Sequence, residues 1–154
     1  MLDAWYLHAG LAAVGVALLG VTTGLPTHPP PDATGVARVV DGVASSPHAA
    51  VGEHPLEADL IRITPRGLTL AGPGGRAHAS FRFGPVTPVD PGTDLAQVHA
   101  GTPPDRTFDA PDAFASAVER RRRTAARNPS WRTAPDQLVV RHVEWEGIDV
   151  TLVG

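Results

Sequence analysis

The sequence predicts an α+β protein, with one N-terminal transmembrane helix followed by a small domain of antiparallel strands with one or two helices. Three patterns carry that expectation. Residues 5–25 contain no Asp, Glu or Arg. Residues 59–83 and 137–153 alternate apolar and polar side chains, the period of a strand with one covered face. Residues 33–45 and 111–127 space their apolar side chains by three and four, the period of a helix. A chain of 154 residues has room for one small core. The expected division is an anchor over 1–26, a proline-rich linker and short helix over 27–47, and the α+β domain over 48–154.

The first element is the apolar run. At about 1.5 Å per residue, 21 helical residues span about 31 Å, the thickness of a bilayer's hydrocarbon core. Trp5 and Tyr6 sit at its start, where an aromatic belt meets the headgroups. Pro26 and residues 29–31, all proline, end any helix and stiffen the exit. A cleaved signal peptide and a buried helix are the competing readings. The length of the run, and the absence of Arg or Lys ahead of it, favour a retained anchor. Ala9, Ala13 and Ala17 recur every four residues, and Gly20 and Gly24 form a G-x-x-x-G. Both patterns let a second helix approach closely in lipid. The positive-inside rule has little to count, because the first arginine is Arg38. The stiff proline exit favours a domain outside the cytoplasm.

Asp32 is placed to cap a helix over 33–45, with Val36, Val39, Val40 and Val43 on one face. Residues 51–56 read as loop. A strand follows over 59–64, with Ile61 and Ile63 on one side and Leu60 and Arg62 on the other. A second covers 67–71. Gly72-Pro73-Gly74-Gly75 forms a turn. A third strand covers 77–83, with Ala79, Phe81 and Phe83 together. The stretch 84–107 reads as loop around a short helix near 94–99. The helix over 111–127 has Asp109 as its expected cap, Pro111 in its first turn and Asn128-Pro129 at its end. Phe114, Ala117, Val118, Arg121 and Ala125 share a face. Strands over 137–145 and 148–153 are joined by Glu146-Gly147, the length of a tight hairpin. Val140 and His142 lie on one side of the first, and Val139, Arg141, Val143 and Trp145 on the other. Trp131 and Trp145 are expected in the core, since few aromatics are available to fill it.

Composition narrows the chemistry. There is no cysteine, which excludes a disulfide scaffold, a thiolate metal site and a cysteine nucleophile. All 13 basic residues are arginine, the usage expected of a GC-rich genome. A net charge of −3 gives no reason to expect nucleic acid. The seven histidines form no H-E-x-x-H and no paired spacing on a helix. No G-x-S-x-G and no phosphate-binding glycine loop occurs. No catalytic, cofactor-binding or metal-binding residue is assigned. Arg120, Arg121, Arg122 and Arg123 form the strongest charge run, near a helix C-terminus where cations are favoured. Solvated helix end is one reading, and contact with an acidic partner or anionic headgroups is the other.

The chain resembles a haloarchaeal membrane-anchored family with a domain of unknown function. The resemblance rests on Asp3-Ala4-Trp5-Tyr6-Leu7 with its apolar run, on Leu25-Pro26-Thr27 and the following prolines to Asp32, on Phe83-Gly84-Pro85-Val86-Thr87-Pro88-Val89, and on the ending from Trp145 to Gly154. It implies a membrane span and carries over no catalytic residue. It also implies an association with archaeal type IV pilus or type II secretion-like systems, although residues 26–31 interrupt what a pilin would keep as one long helix. The expectation is a non-enzymatic single-pass protein without a cofactor. Its partners are membrane lipid and other proteins, met through the apolar helix or through an interaction domain outside the membrane. A membrane-held ligand-binding or sensor module is the alternative.

Overall fold

The computed structural model describes residues 28–154. The apolar run, with Ala9, Ala13, Ala17, Gly20 and Gly24, lies outside the described residues.

Helix α1 (Ala33–Ala44) begins at the expected cap. The Asp32 carboxylate accepts from the Gly35 amide at 2.7 Å, satisfying an N–H that the first turn leaves free. Val36, Val40 and Val43 form its buried stripe. Although the sequence groups this helix with the linker, its valines join the same apolar cluster as Ile61, Leu68, Leu138 and Val140.

Two four-stranded sheets follow. The outer sheet has the order β4-β3-β2-β6, from β2 (Leu60–Thr64), β3 (Gly67–Gly72), β4 (Gly75–Ser80) and β6 (Arg132–Thr133). All its pairings are antiparallel. The central sheet has the order β1-β7-β8-β5, from β1 (Ala50–Pro55), β7 (Gln137–Trp145), β8 (Ile148–Val153) and β5 (Thr87–Pro88). Helices α2 (Asp94–Ala100) and α3 (Pro111–Arg127) complete the fold, with one 3₁₀ turn at Pro104–Arg106.

The central sheet is covered twice. Leu138, Val140 and Val153 pack with α1 and with the inner face of the outer sheet. Val143, Val150 and Leu152 face the other way, onto Leu95 and Val98 of α2 and Phe114 and Val118 of α3. The fully buried Phe114 ring stands 5.4 Å from Phe108 and 6.0 Å from Trp145, centroid to centroid, both tilted. The architecture is thus a small α+β domain with three helices and largely antiparallel sheets.

Several elements differ from expectation. Residues 50–55 form β1 where a loop is expected, because β1 gains a full antiparallel register with β7, from Ala50↔His142 to Pro55↔Gln137. The pair β5–β8 is parallel, unlike every other pairing. A third helix is complete: Thr93 caps α2 and left-handed Gly101 ends it. Helix α3 is capped at Ala110 with no side-chain bond, so Asp109 does not cap it; Pro111 at the first turn leaves one fewer N–H to satisfy. Strand β4 ends at Ser80, and Phe83 turns outward to 51% exposure. Asp41 of α1 explains the departure, since its carboxylate accepts from the Arg82 and Phe83 amides at 2.8 and 3.1 Å. Trp145 packs against the core as expected. Trp131 does not: it is half-buried on the outer sheet, beneath two arginines.

Candidate functional site

The β7–β8 hairpin assembles the only buried histidine among the described residues. Its two-residue turn has both central residues at positive φ, Glu146 at 50° and Gly147 at 78°, the geometry that matches the twist of paired strands. This fixes the register Trp145↔Ile148, Glu144↔Asp149 and His142↔Thr151. Side chains alternate, so His142, Asp149 and Thr151 share one face.

Their bonds are specific. His142 Nε2 lies 2.9 Å from Asp149 Oδ1, and His142 Nδ1 lies 3.3 Å from Thr151 Oγ1. A neutral imidazole fits this with Nε2–H donating to the carboxylate and the threonine hydroxyl donating to Nδ1. His142 is 5% exposed, Thr151 6%, and the Asp149 side chain 65%. The connectivity is that of a hydroxyl–imidazole–carboxylate relay, but accessibility is reversed. An attacking hydroxyl has to reach its substrate while its carboxylate is shielded. Here the hydroxyl is covered and the carboxylate faces solvent. The group is arranged to present Asp149 in a fixed position.

An open cleft of about 370 Å³ runs along this face, lined by Phe83, Gly84, Pro85, Arg122, His142, Asp149 and Thr151. Arg122 is anchored by Nε donating to Thr87 Oγ1 at 2.9 Å and Nη1 donating to Glu119 at 3.1 Å. The segment from Phe83 to Val89 therefore lines the cleft with its first half and holds Arg122 with its second.

The arginine run divides. Arg121 donates from Nε to the Pro88 carbonyl at 2.9 Å and from Nη2 to Asp90 at 2.7 Å. With Arg122 on Thr87 and Arg132 Nη1 on the Val89 carbonyl at 2.9 Å, three guanidinium groups fasten the short β5 segment to α3 and β6. Burial lowers the Arg132 pKa, as does Arg121, against the opposing pull of Asp90. Its Nη2 is buried without a hydrogen-bond partner. Arg120 and Arg123 stay exposed. Of the four residues singled out by sequence, two hold the fold together and two face solvent.

The other histidines are dispersed. His54 Nδ1 meets the Pro55 carbonyl, and His78 Nδ1 meets Thr69 Oγ1 at 3.2 Å. His99 Nε2 donates to the Val139 carbonyl at 2.9 Å, and Arg141 donates to the His99 carbonyl. Burial lowers the His99 pKa, assisted by Arg141 and Arg132, while the bond to Val139 opposes the shift. Among the described residues, no three His, Asp or Glu side chains gather as a metal site, and no helix is long and apolar enough to cross a membrane.

The hairpin cluster was within reach of sequence reasoning. A two-residue link sets the register, which puts Thr151 opposite His142 and Asp149 on the diagonal. The burial of His142 was not, because it depends on the Phe83–Pro85 loop and α1 closing over the strand.

No curated protein and no solved structure matches this chain. A family model does, over residues 1–143, and the chain accordingly belongs to DUF7283, a family of unknown function.

Proposed function

We propose that this is a membrane-held, non-catalytic interaction protein. Residues 5–25 anchor it, and the folded domain meets protein partners outside the cytoplasm, as an accessory component of a pilus or secretion apparatus in a haloarchaeal cell. One observation carries the anchor: an uncharged run as long as a bilayer is thick ends at Leu25, three residues ahead of the described residues that start at His28. The reversed accessibility of the Thr151–His142–Asp149 group supports a recognition role over a hydrolytic one.

A cysteine-free chain makes the test simple. Ser116 is exposed on α3, so Ser116→Cys supplies one thiol away from every contact described above. The expected result is retention in the membrane after alkaline carbonate washing, with labelling of intact cells by an impermeant maleimide. Release by carbonate overturns the anchor. Labelling only after lysis overturns the external placement. Co-purification with secretion or pilus components in mild detergent is the expected result for the partner assignment, and a solitary monomer overturns it.

The open cleft beside Arg122, His142 and Asp149 favours a second reading, a small-ligand sensor. His142 ring resonances that shift on adding acetate or zinc support it. Resonances that move only with pH remove it.

A further inference from the structure

The solvent face of the outer sheet has a chemistry of its own. Residues 60–89 carry Arg62, Arg66, Arg76 and Arg82 and no acidic residue, in a chain whose net charge is −3. The sheet register gathers part of that charge. Arg62, Thr69 and His78 form one cross-strand row, and Leu60, Ala71 and Arg76 form the next row on the same face. The Thr69–His78 bond confirms that these side chains point the same way. Their neighbours Ile61, Ile63, Leu68 and Leu70 point inward and are buried.

Trp131 lies on this outer face. The Arg62 guanidinium carbon is 4.7 Å from its ring centroid and that of Arg76 is 5.5 Å, so one indole holds two cations by its π face. Among the described residues, neither arginine has a carboxylate partner within salt-bridge distance. Among those residues the face is therefore a patch of guanidinium without carboxylate partners around a half-buried indole. Leu60, 42% exposed, adds an apolar side chain beside it.

The first described residues sit at one end of the same sheet. A β-carbon on Gly74, in the β3–β4 turn, would stand 1.9 Å from the Pro29 carbonyl oxygen and 2.8 Å from that of His28. Residues 28–29 thus rest against this turn, next to Arg76. From Leu25 to His28 the chain can extend at most about 10 Å. If residues 5–25 span the bilayer, the outer sheet is the layer of the domain tethered nearest to it.

We propose that the outer sheet docks on anionic lipid headgroups through Arg62, Arg76 and Trp131, laying the domain against the membrane beside its own anchor. The inference rests on the anchor assigned under the proposed function. Two properties favour lipid over an acidic protein: the indole suits the interfacial zone, and the tether brings the patch to the headgroups in every copy.

The test uses the full chain with Ala71→Cys, a small outer-face position in the same cross-strand row as Arg76, carrying a nitroxide. It is reconstituted into vesicles of phosphatidylcholine, with or without phosphatidylglycerol, at low salt. Flotation with neutral vesicles reads the anchor. Collision of the nitroxide with a water-soluble relaxing agent reads the docking. The expected result is a label shielded only when phosphatidylglycerol is present, with shielding lost at high salt. Arg62→Gln with Arg76→Gln keeps a polar, planar end and removes charge. It is expected to lower the docked-to-undocked ratio about fivefold per arginine, without changing flotation. Equal exposure of the label in both vesicle types, in protein that floats, overturns the docking and leaves the anchor intact. Shielding on phosphatidylglycerol vesicles by protein that fails to float with neutral ones supports the docking and overturns the anchor.

Discussion

The two sheets solve the same packing problem differently. The inner strands of the central sheet are covered on both faces, by α1 and the outer sheet on one side and by α2 and α3 on the other. Side chains on both faces of β7 and β8 answer to packing. Among the described residues, the outer sheet is covered once. Its inner face is Ile, Leu and Ala, while its outer face carries arginine, histidine and threonine around Trp131. A doubly covered sheet has little freedom to vary, whereas a singly covered one can change its open face at little cost to the fold. Among the described residues, the central sheet is closed on both faces and the outer sheet keeps one face open.

The largest effect that separates the two belongs to Phe114. It is fully buried between the central sheet and the second helical layer, against Phe108 and Trp145. Phe114→Ala removes that contact and leaves a cavity, with an expected loss of about 3–5 kcal/mol. Urea unfolding followed by circular dichroism measures it. A loss below about 1 kcal/mol, the range of surface changes, would mean that α3 is not an essential cover of the central sheet.

Gly74 probes the other sheet. An added β-carbon meets backbone at Pro29, not a side chain that can swing aside. Gly74→Ala is expected to cost about 1–3 kcal/mol, as overpacking does. Amide hydrogen exchange should localise the loss to the β3–β4 turn and the start of α1, leaving β7 and β8 protected. Uniform loss of protection would show that the two sheets do not fail separately.

The same contrast explains what could be read from sequence. Alternation is plain in β2, β3 and β4 because one face of each is wet. The α1 cap at Asp32, the glycine turn before β4 and the Glu146-Gly147 hairpin are local devices whose residue types define them. Strand β1 was hidden because Gly52, Glu53, His54 and Pro55 have little preference for strand, and only β7 beside them makes them one. The two residues of β5 depend on β8 and on arginines from α3 and β6. In the candidate cleft, the residues of the hairpin could be aligned by register, but Arg122 reaches it through a contact with Thr87, 35 positions away. For Trp131 the scarcity of aromatics argues for burial, whereas in the fold two arginines from β2 and β4 hold it on the outer face.

A smaller effect concerns the seal between α2 and β7. His99 is half-buried, and its pKa lies below the ordinary 6.5, chiefly through burial. Below pH 6.5 the unfolded chain takes up a proton that the folded chain resists. Its contribution to stability is therefore fully present above that pH and declines as pH falls toward the folded pKa. The slope from one such proton cannot exceed about 1.4 kcal/mol per pH unit. His99→Gln should flatten stability against pH below 6.5 relative to the natural chain. An unchanged slope would assign the acid sensitivity to other groups.

The smallest effect on stability is expected at the outer face. An arginine over a solvent-accessible indole contributes about 0.5–1 kcal/mol, and glutamine retains part of the packing. Arg62→Gln with Arg76→Gln should therefore move the urea midpoint by less than Gly74→Ala does, and far less than Phe114→Ala. The docking of the domain on anionic vesicles should nevertheless fall steeply. Those two outcomes together would establish that the charge on the outer sheet is kept for something other than folding. If stability falls as far as with Phe114→Ala, the arginine–indole stack is part of the structural core, and the contrast between the two sheets fails at the point where it assigns a role.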